Sequence, residues 1–411
     1  MQEYNVSKFN LQECLKCNIC SEVCPMMKAN PLYPGPKQAG PDGERYRIKD
    51  EDIFDRNIKF CLNCKRCEVA CPSGVKIGDM IAVAKIRHRG GEHRLRDRML
   101  ASTDMVGGLA TPVAPIVNGV LSWKLSKSIL EGVMGVSSHA AMPKYSSQKF
   151  STWYARGNAA KQKKYSRFVE YFHGCYVNYN CPQLGKDFVT LMNACGYGVR
   201  LLKGQKCCGV AMIANGFEKE AVKAAQTNVQ CIMNASAPVL TTSSSCTLTL
   251  TEEYSNVLGI ATGDTASKVQ LAVKWLYDSI DRGEVKIAWR KDFAMKAVYH
   301  TPCHMQRLGQ QIYSIELLRM IPGLQLDVLE QKCCGISGTF GFEKEGYELS
   351  RKIGEELFED IRNHAPEAVI TDCETCKWQI EAATGYSVYN PISILAKAID
   401  IKETTLLNEN R

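Results

Sequence analysis

The sequence predicts an α+β multidomain chain: a helical, cysteine-rich N-terminal domain, then an α/β domain present twice, each copy with a short parallel sheet. Three observations carry this. Two cysteine runs of identical spacing precede Ser73. Beyond residue 166 the sequence repeats itself at an offset of 126–130 residues. Within each copy, short apolar stretches alternate with helical ones, the pattern of parallel strands joined by crossovers. A chain of 411 residues with 45% apolar content has room for such an arrangement. The expected boundaries are 1–100, a linker at 101–166, repeat 1 at 167–285 and repeat 2 at 286–411.

The first run reads Cys14-x2-Cys17-x2-Cys20-x3-Cys24-Pro25 and the second Cys61-x2-Cys64-x2-Cys67-x3-Cys71-Pro72. Twenty cysteines would suit disulfides in a secreted chain, but Met1-Gln2-Glu3-Tyr4-Asn5 lacks the apolar core of a signal peptide. Metal or redox chemistry in a reducing compartment is the expectation. Zinc ribbons need only Cys-x2-Cys pairs. The third cysteine at x2 and the trailing Cys-Pro are those of two-cluster bacterial ferredoxins, in which the fourth cysteine reaches the cluster of the other run. Two 4Fe–4S clusters are therefore expected in a ferredoxin-like domain. Cluster 1 falls on Cys14, Cys17, Cys20 and Cys71, and cluster 2 on Cys61, Cys64, Cys67 and Cys24. Between the runs, the prolines and glycines from Pro31 to Gly43 predict a loop, and Ile77–Arg87 reads as a helix.

The net charge of +8 is concentrated. Residues 85–98 carry six Lys/Arg against two acids, and residues 144–167 carry seven against none. Between them, 105–136 is largely apolar, with Val117, Leu121, Leu125, Ile129 and Val133 every fourth residue. Two readings stand for it: a packing helix, or an interfacial membrane contact flanked by cations and aromatics. No unbroken apolar run reaches the roughly 18 residues of a bilayer span. Lys161, Lys163, Lys164 and Arg167 are candidate contacts to membrane or partner. Beside metal-binding runs nucleic acid is the weaker reading, and no nucleic-acid partner is expected.

In the repeat, Phe172-His173-Gly174-Cys175, Lys206-Cys207-Cys208-Gly209 and Ser243-Ser244-Ser245-Cys246 answer to His300-Thr301-Pro302-Cys303, Lys332-Cys333-Cys334-Gly335 and Cys373-Glu374-Thr375-Cys376. Predicted strands are Phe168–Phe172, Val199–Leu202, Val239–Thr242, Lys296–His300, Leu324–Leu329 and Ala368–Thr371. Each cysteine group follows a strand, and loops at the carboxyl ends of parallel strands share one crevice. Repeat 2 thereby gathers Cys303, Cys333, Cys334, Cys373 and Cys376, more thiolates than one zinc needs. The alternative is a vicinal disulfide or scattered buried cysteines. Repeat 1 gathers Cys175, Cys207, Cys208 and Cys246, with Ser243 in place of a fifth. One or two further clusters are expected. Cys181, Cys195 and Cys231 read as buried small residues; His173, His300 and His304 read equally as site or structural groups.

Two ferredoxin runs followed by two Cys-Cys-Gly domains resemble the iron–sulfur protein family that includes heterodisulfide reductase subunits. Residues 34–45, Phe172-His173-Gly174-Cys175 and Thr371 to Gln379 narrow the likeness to the C subunits, the iron–sulfur ones, of anaerobic glycerol-3-phosphate dehydrogenases. That resemblance implies noncubane clusters in the repeats, electrons arriving from flavin-containing A and B subunits and leaving to membrane quinone, and a peripheral place on the cytoplasmic face of the inner membrane. It implies a carrier that does not oxidise glycerol 3-phosphate alone. The alternative is a catalytic, heterodisulfide-reductase-like or quinone-reducing protein serving another flavoenzyme, such as a lactate or glycolate oxidase.

Overall fold

The computed structural model describes residues 9–88 and 94–409. In the N-terminal part each cysteine run is a tight loop. Lys16 and Asn18 in the first run, and Asn63 and Lys65 in the second, have φ of 57°, 66°, 52° and 59°. These are matching positions. The left-handed region costs a non-glycine residue about 1–2 kcal/mol, so four such residues at equivalent places mark a loop shaped by what it encloses. Short helices Ile19–Glu22 and Arg66–Val69 follow the loops. The longer helix Ile77–His88 buries Met80, Ile81 and Ala84 beneath them. The loop expected up to Gly43 is partly helical: Gln38–Asp42 forms a π-turn that continues into Gly43–Arg47. The Arg47 guanidinium donates to the carbonyls of Ala39 and Gly40, so the wide turn around Pro41 leaves these acceptors paired.

Repeat 1 contains β1 (Arg167–Tyr171), β2 (Tyr197–Leu201), β3 (Val239–Thr241) and β4 (Val269–Leu271). Repeat 2 contains β5 (Met295–Tyr299), β6 (Leu324–Val328), β7 (Ala368–Ile370) and β8 (Ser387–Tyr389). All pairs are parallel, in the orders β2-β1-β3-β4 and β6-β5-β7-β8. Equivalent residues hold equivalent register: Tyr171 lies opposite Leu240, and Tyr299 opposite Ile370. The six predicted strands are present. The edge strands β4 and β8 were not anticipated: β3 and β7 are as short but buried throughout, whereas Gln270 and Ser387 interrupt the apolar pattern in β4 and β8.

The repeats pack as a pseudo-two-fold pair. Helix Pro182–Ala194 of repeat 1 lies on helix Pro391–Ala398 of repeat 2, and helix Ala272–Asp281 of repeat 1 lies on helix Gln311–Arg319 of repeat 2. One core therefore unites Tyr171, Phe188 and Leu276 with Tyr299, Leu317 and Leu395. In both sheets the strand order reverses between the first and third strands of the repeat. Adjacent loops there leave in opposite directions and open a crevice at the carboxyl ends.

Residues 103–134 form a helical pair. Thr103–Ala110, a 3-10 turn and Ala114–Ser122 make one run, and Lys124–Met134 follows after Trp123. Gly107, Ala110, Thr111 and Ala114 face the fold; a β-carbon at Gly107 would come within 2.5 Å of the Tyr179 ring. The opposite face is bare: Met105, Leu109, Val113, Ile116 and Val120 follow helical spacing and are all exposed. Leu125, Ile129 and Val133 do the same on the second helix, whereas Val117 and Leu121 are half-buried. Thr103–Ser122 is long and apolar enough to cross a bilayer by length and composition, with mean hydropathy 1.4 over its best window. Asp104, Asn118 and two prolines had hidden this from a search for unbroken apolar residues. One face of this run packs on the fold, and 22% of that window is buried.

Candidate metal centres

Cys14, Cys17, Cys20 and Cys71 line one small cavity, and Cys24, Cys61, Cys64 and Cys67 line a second. The fourth cysteine of each run thus lies with the three of the other. The first set faces outward: Cys17, Leu15 and Ile19 are exposed. The second is enclosed, with Cys24 and Cys67 buried and Tyr33 above them. Burial pushes the Cys24 thiol up to about 11 and Cys67 well above the usual range, with the charges of neighbouring thiols adding to the effect. Crowded buried sulfurs of this kind resist ionising until a cation joins them. Four soft donors around a small cavity suit iron–sulfur ligation.

Where the first run has Asn18-Ile19, the second has Lys65-Arg66. Lys65 is buried, with its ammonium on Asp79 and with Glu253 and Glu68 at 3.6 and 3.9 Å. Burial opposes its charge, but Asp79, Glu68 and Glu253 outweigh burial and hold it protonated. Arg307 extends the network to Glu68 (3.0 Å) and Glu252 (2.6 Å). Arg66 points the other way. Its guanidinium bonds the Gln331 carbonyl at 2.8 Å and faces the sulfurs of Cys303, Cys333 and Cys64. The ferredoxin-like part and repeat 2 meet at this point, and Cys64 lies beside Cys303. One thiol of this trio ionises at the others' expense: Cys333 and Cys64 pull Cys303 well below the usual thiol range and are themselves raised.

In repeat 2, Cys333, Cys334, Cys373 and Cys376 are buried and Cys303 is half-buried; all are free thiols, so Cys333 and Cys334 form no vicinal disulfide. The Cys334 and Cys376 sulfurs are 3.1 Å apart. Cys376 and the local hydroxyl and amides hold Cys373 down at about 6. Gly335 has φ of 83°, and a β-carbon there would lie 1.9 Å from the Ser350 carbonyl oxygen, so only glycine fits. In repeat 1, Cys175 and Cys207 are 3.7 Å apart, and Cys208 faces both Cys207 and Cys246. The Cys207 N–H donates to Asp104 Oδ2 at 2.6 Å. The exposed helical pair is therefore rooted at the repeat 1 thiols.

Ser243, which stands where repeat 2 has Cys373, caps the helix Ser244–Leu248 by accepting from the Cys246 N–H. It also donates to Glu374 at 2.9 Å. Burial, with the Cys373 charge next, pushes Glu374 up to about 7. Ser245 approaches the Cys373 sulfur at 4.0 Å and joins His304, whose other nitrogen lies 3.3 Å from the Asn63 carbonyl oxygen. A cavity of about 240 Å³ lies between the repeats, with Cys246, Cys373, Glu374, His173, Tyr176 and Tyr389 on its walls.

The basic candidates divide. Lys161, Lys163 and Lys164 are exposed, but Arg167 stacks on Tyr197 at the amino end of β1, the far end from Cys175. Cys195 is a core residue, Cys231 donates to the Lys203 carbonyl, and Cys181 borders the inter-repeat cavity. Sequence reasoning missed Asp104, Glu374 and the Lys65-Arg66 pair. Only the last left a trace, as two cations inside a cluster-binding loop.

Residues 10–75 match the 4Fe-4S dicluster domain family, and residues 169–251 and 297–381 each match the cysteine-rich domain family. The chain is 48% identical over 394 residues to the C subunit of anaerobic glycerol-3-phosphate dehydrogenase of Escherichia coli K12, covering 95% of this chain and 99% of the relative. It is 25% identical over 409 residues to the B subunit of fumarate reductase (CoM/CoB) of Methanothermobacter marburgensis, covering 92% of this chain and 69% of the relative. Lactate utilization protein A 2 of Bacillus cereus is 32% identical over 177 residues, 42% of this chain and 73% of the relative. With a dicluster domain ahead of two cysteine-rich domains, and this identity along nearly its full length, the chain belongs to the family of anaerobic glycerol-3-phosphate dehydrogenase C subunits and is an iron–sulfur electron-transfer protein.

Proposed function

We propose that this chain carries electrons from flavin-containing A and B subunits of an anaerobic glycerol-3-phosphate dehydrogenase to membrane quinone, docked on the cytoplasmic face of the inner membrane. The observation behind this is the continuity of the thiol sites. The Cys14–Cys71 set opens to the surface, the Cys24–Cys61 set lies inside, Cys64 abuts Cys303 of repeat 2, and Cys373 abuts Ser245 of repeat 1. In this reading Cys14, Cys17, Cys20 and Cys71 hold one 4Fe–4S cluster and Cys61, Cys64, Cys67 and Cys24 a second. Cys303, Cys333, Cys334, Cys373 and Cys376 hold a third, and Cys175, Cys207, Cys208 and Cys246 a fourth. When bound, the clusters supply one-electron redox chemistry. The chain's own residues space them, exclude water from the inner sites and set their charge environment through Lys65 and Arg66. Removing hydride from an alcohol calls for an organic acceptor such as a flavin, so that step belongs to the partner subunits.

The bare stripe of the helical pair supports lipid contact. Lys124 and Lys127 lie on the second helix of the pair and Lys144 precedes Tyr145, which bonds Asn118 of the first, and cations near anionic headgroups add roughly 1 kcal/mol each. Reconstituted three-subunit complex on quinone-containing vesicles tests the whole reading. Cys333→Ser should stop quinone reduction while dye reduction by the A and B subunits continues. Quinone reduction at the wild-type rate in that variant would refute it.

A second reading, that the chain itself reduces a small substrate, has the inter-repeat cavity behind it, since a ligand there would touch Cys246 and Cys373 together. Quinone analogues that perturb the EPR signals of both repeats in the chain alone would favour it.

A further inference from the structure

Repeat 2 contains a buried histidine that no protein group satisfies. His300 directly follows β5, is fully buried, and neither Nδ1 nor Nε2 has a hydrogen-bond partner among the described residues. A ring nitrogen and the sulfurs of Cys334 and Cys376 all lie within 4.8 Å of one another. Buried polar groups are almost always paired, and an orphan calls for an explanation such as an absent ion. The other histidines beside the cysteines are satisfied. In repeat 1 the equivalent place after β1 is held by Phe172, and His173, the next residue, has Nδ1 2.8 Å from the Gly174 carbonyl oxygen. His304 is engaged through both nitrogens, by Ser245 and by the Asn63 carbonyl.

We propose that His300 is a sixth protein group of the repeat 2 cluster site, its imidazole supplying a nitrogen to the cluster beside the thiolates of Cys334 and Cys376. This rests on the reading that repeat 2 holds an iron–sulfur cluster. A neutral imidazole offers one lone pair and one N–H: the lone pair suits iron, the N–H a cluster sulfur. Either contact replaces or relieves negative charge at the cluster, and imidazole in place of thiolate raises the potential of an iron–sulfur centre.

Pulsed EPR of the reduced full chain, produced with ¹⁵N-histidine, tests this. The repeat 2 signal should carry a nitrogen modulation that changes with the label and is lost in His300→Gln and His300→Leu, whose midpoint potential falls. A strong coupling identifies an iron–nitrogen bond, a weak one an N–H···S contact. His173→Gln and His304→Gln should keep the modulation, and iron content with the two ferredoxin signals reports intact folding. A wild-type signal free of histidine modulation, or modulation persisting in His300→Gln, overturns the proposal alone. If the His300 variants do not fold, the His173→Gln/His304→Gln double variant decides: modulation that remains supports His300, and modulation that vanishes excludes it. Wild-type protein with no repeat 2 iron or signal overturns the cluster reading, and this inference with it.

Discussion

Replacing Leu109, Ile116 and Val120 with serine should detach the chain from lipid. These three side chains share one helix face and are 71%, 69% and 48% exposed, so they give little to folding and are free to enter a membrane. Full burial of a Leu, Ile or Val side chain is worth about 1.5–3 kcal/mol. Scaled by the exposed fraction, each contributes roughly 1–2 kcal/mol, and the three together about 3–5 kcal/mol, or on the order of a hundred- to several-thousand-fold in partitioning. Flotation of the chain with neutral and anionic vesicles measures this. The triple variant should lose binding to both. Neutralising Lys161, Lys163 and Lys164 should matter far less, because these lysines flank the amino end of the repeat 1 sheet whereas the stripe is rooted at the cysteines near Asp104. Unchanged binding by the serine variant, or equal loss in the lysine variant, would refute the reasoning.

Cys71→Ser should remove the EPR signal of the cluster whose other cysteines are Cys14, Cys17 and Cys20, since Cys71 lines their cavity; loss of the Cys61-run signal alone would contradict this. Lys65→Met should destabilise the apo-chain by about 3–5 kcal/mol in urea unfolding, because it strands Asp79, Glu68 and Glu253 without their cation. Arg66→Gln should lower the midpoint potentials of the Cys61-run and repeat 2 clusters while leaving the Cys14-run cluster in place, and Arg66→Lys should restore most of the shift. Asp372 gives a pH effect: burial, resisted by the Tyr299 and Ser314 hydroxyls, pushes it up to about 6 from 3.8. A raised carboxyl makes the folded state hold the proton longer, so its ionisation costs stability as pH rises through 3.8–6, about 3 kcal/mol in all. Asp372→Asn should therefore flatten that part of the stability profile and match wild type near pH 4; an unaltered profile would contradict it.

The two ferredoxin runs were legible because all their ligands but the crossed one are local: spacing of two residues forces three thiols around one loop. The repeats were legible for a related reason, since duplication writes the same strand–cysteine order twice. The strand interiors could be read from Val199, Val298 and Val369, but the partly exposed edge strands β4 and β8 could not, because their pairing depends on a neighbour already in place. Charge contacts were likewise invisible. Lys65 meets Glu253 across 188 positions, and Asp104 meets Cys207 across 103. Ser243 read as a missing cysteine, whereas in the fold it caps a helix and holds Glu374 of the other repeat. The apolar segment shows the division most clearly. Sequence marked 105–136 as largely apolar with a helix from Ile116, past Pro112 and Pro115, whereas the fold carries the helix back to Thr103. Which side stays bare was decided by Gly107 closing on Tyr179, and only that close approach turned a periodic run into a surface with one buried and one open face.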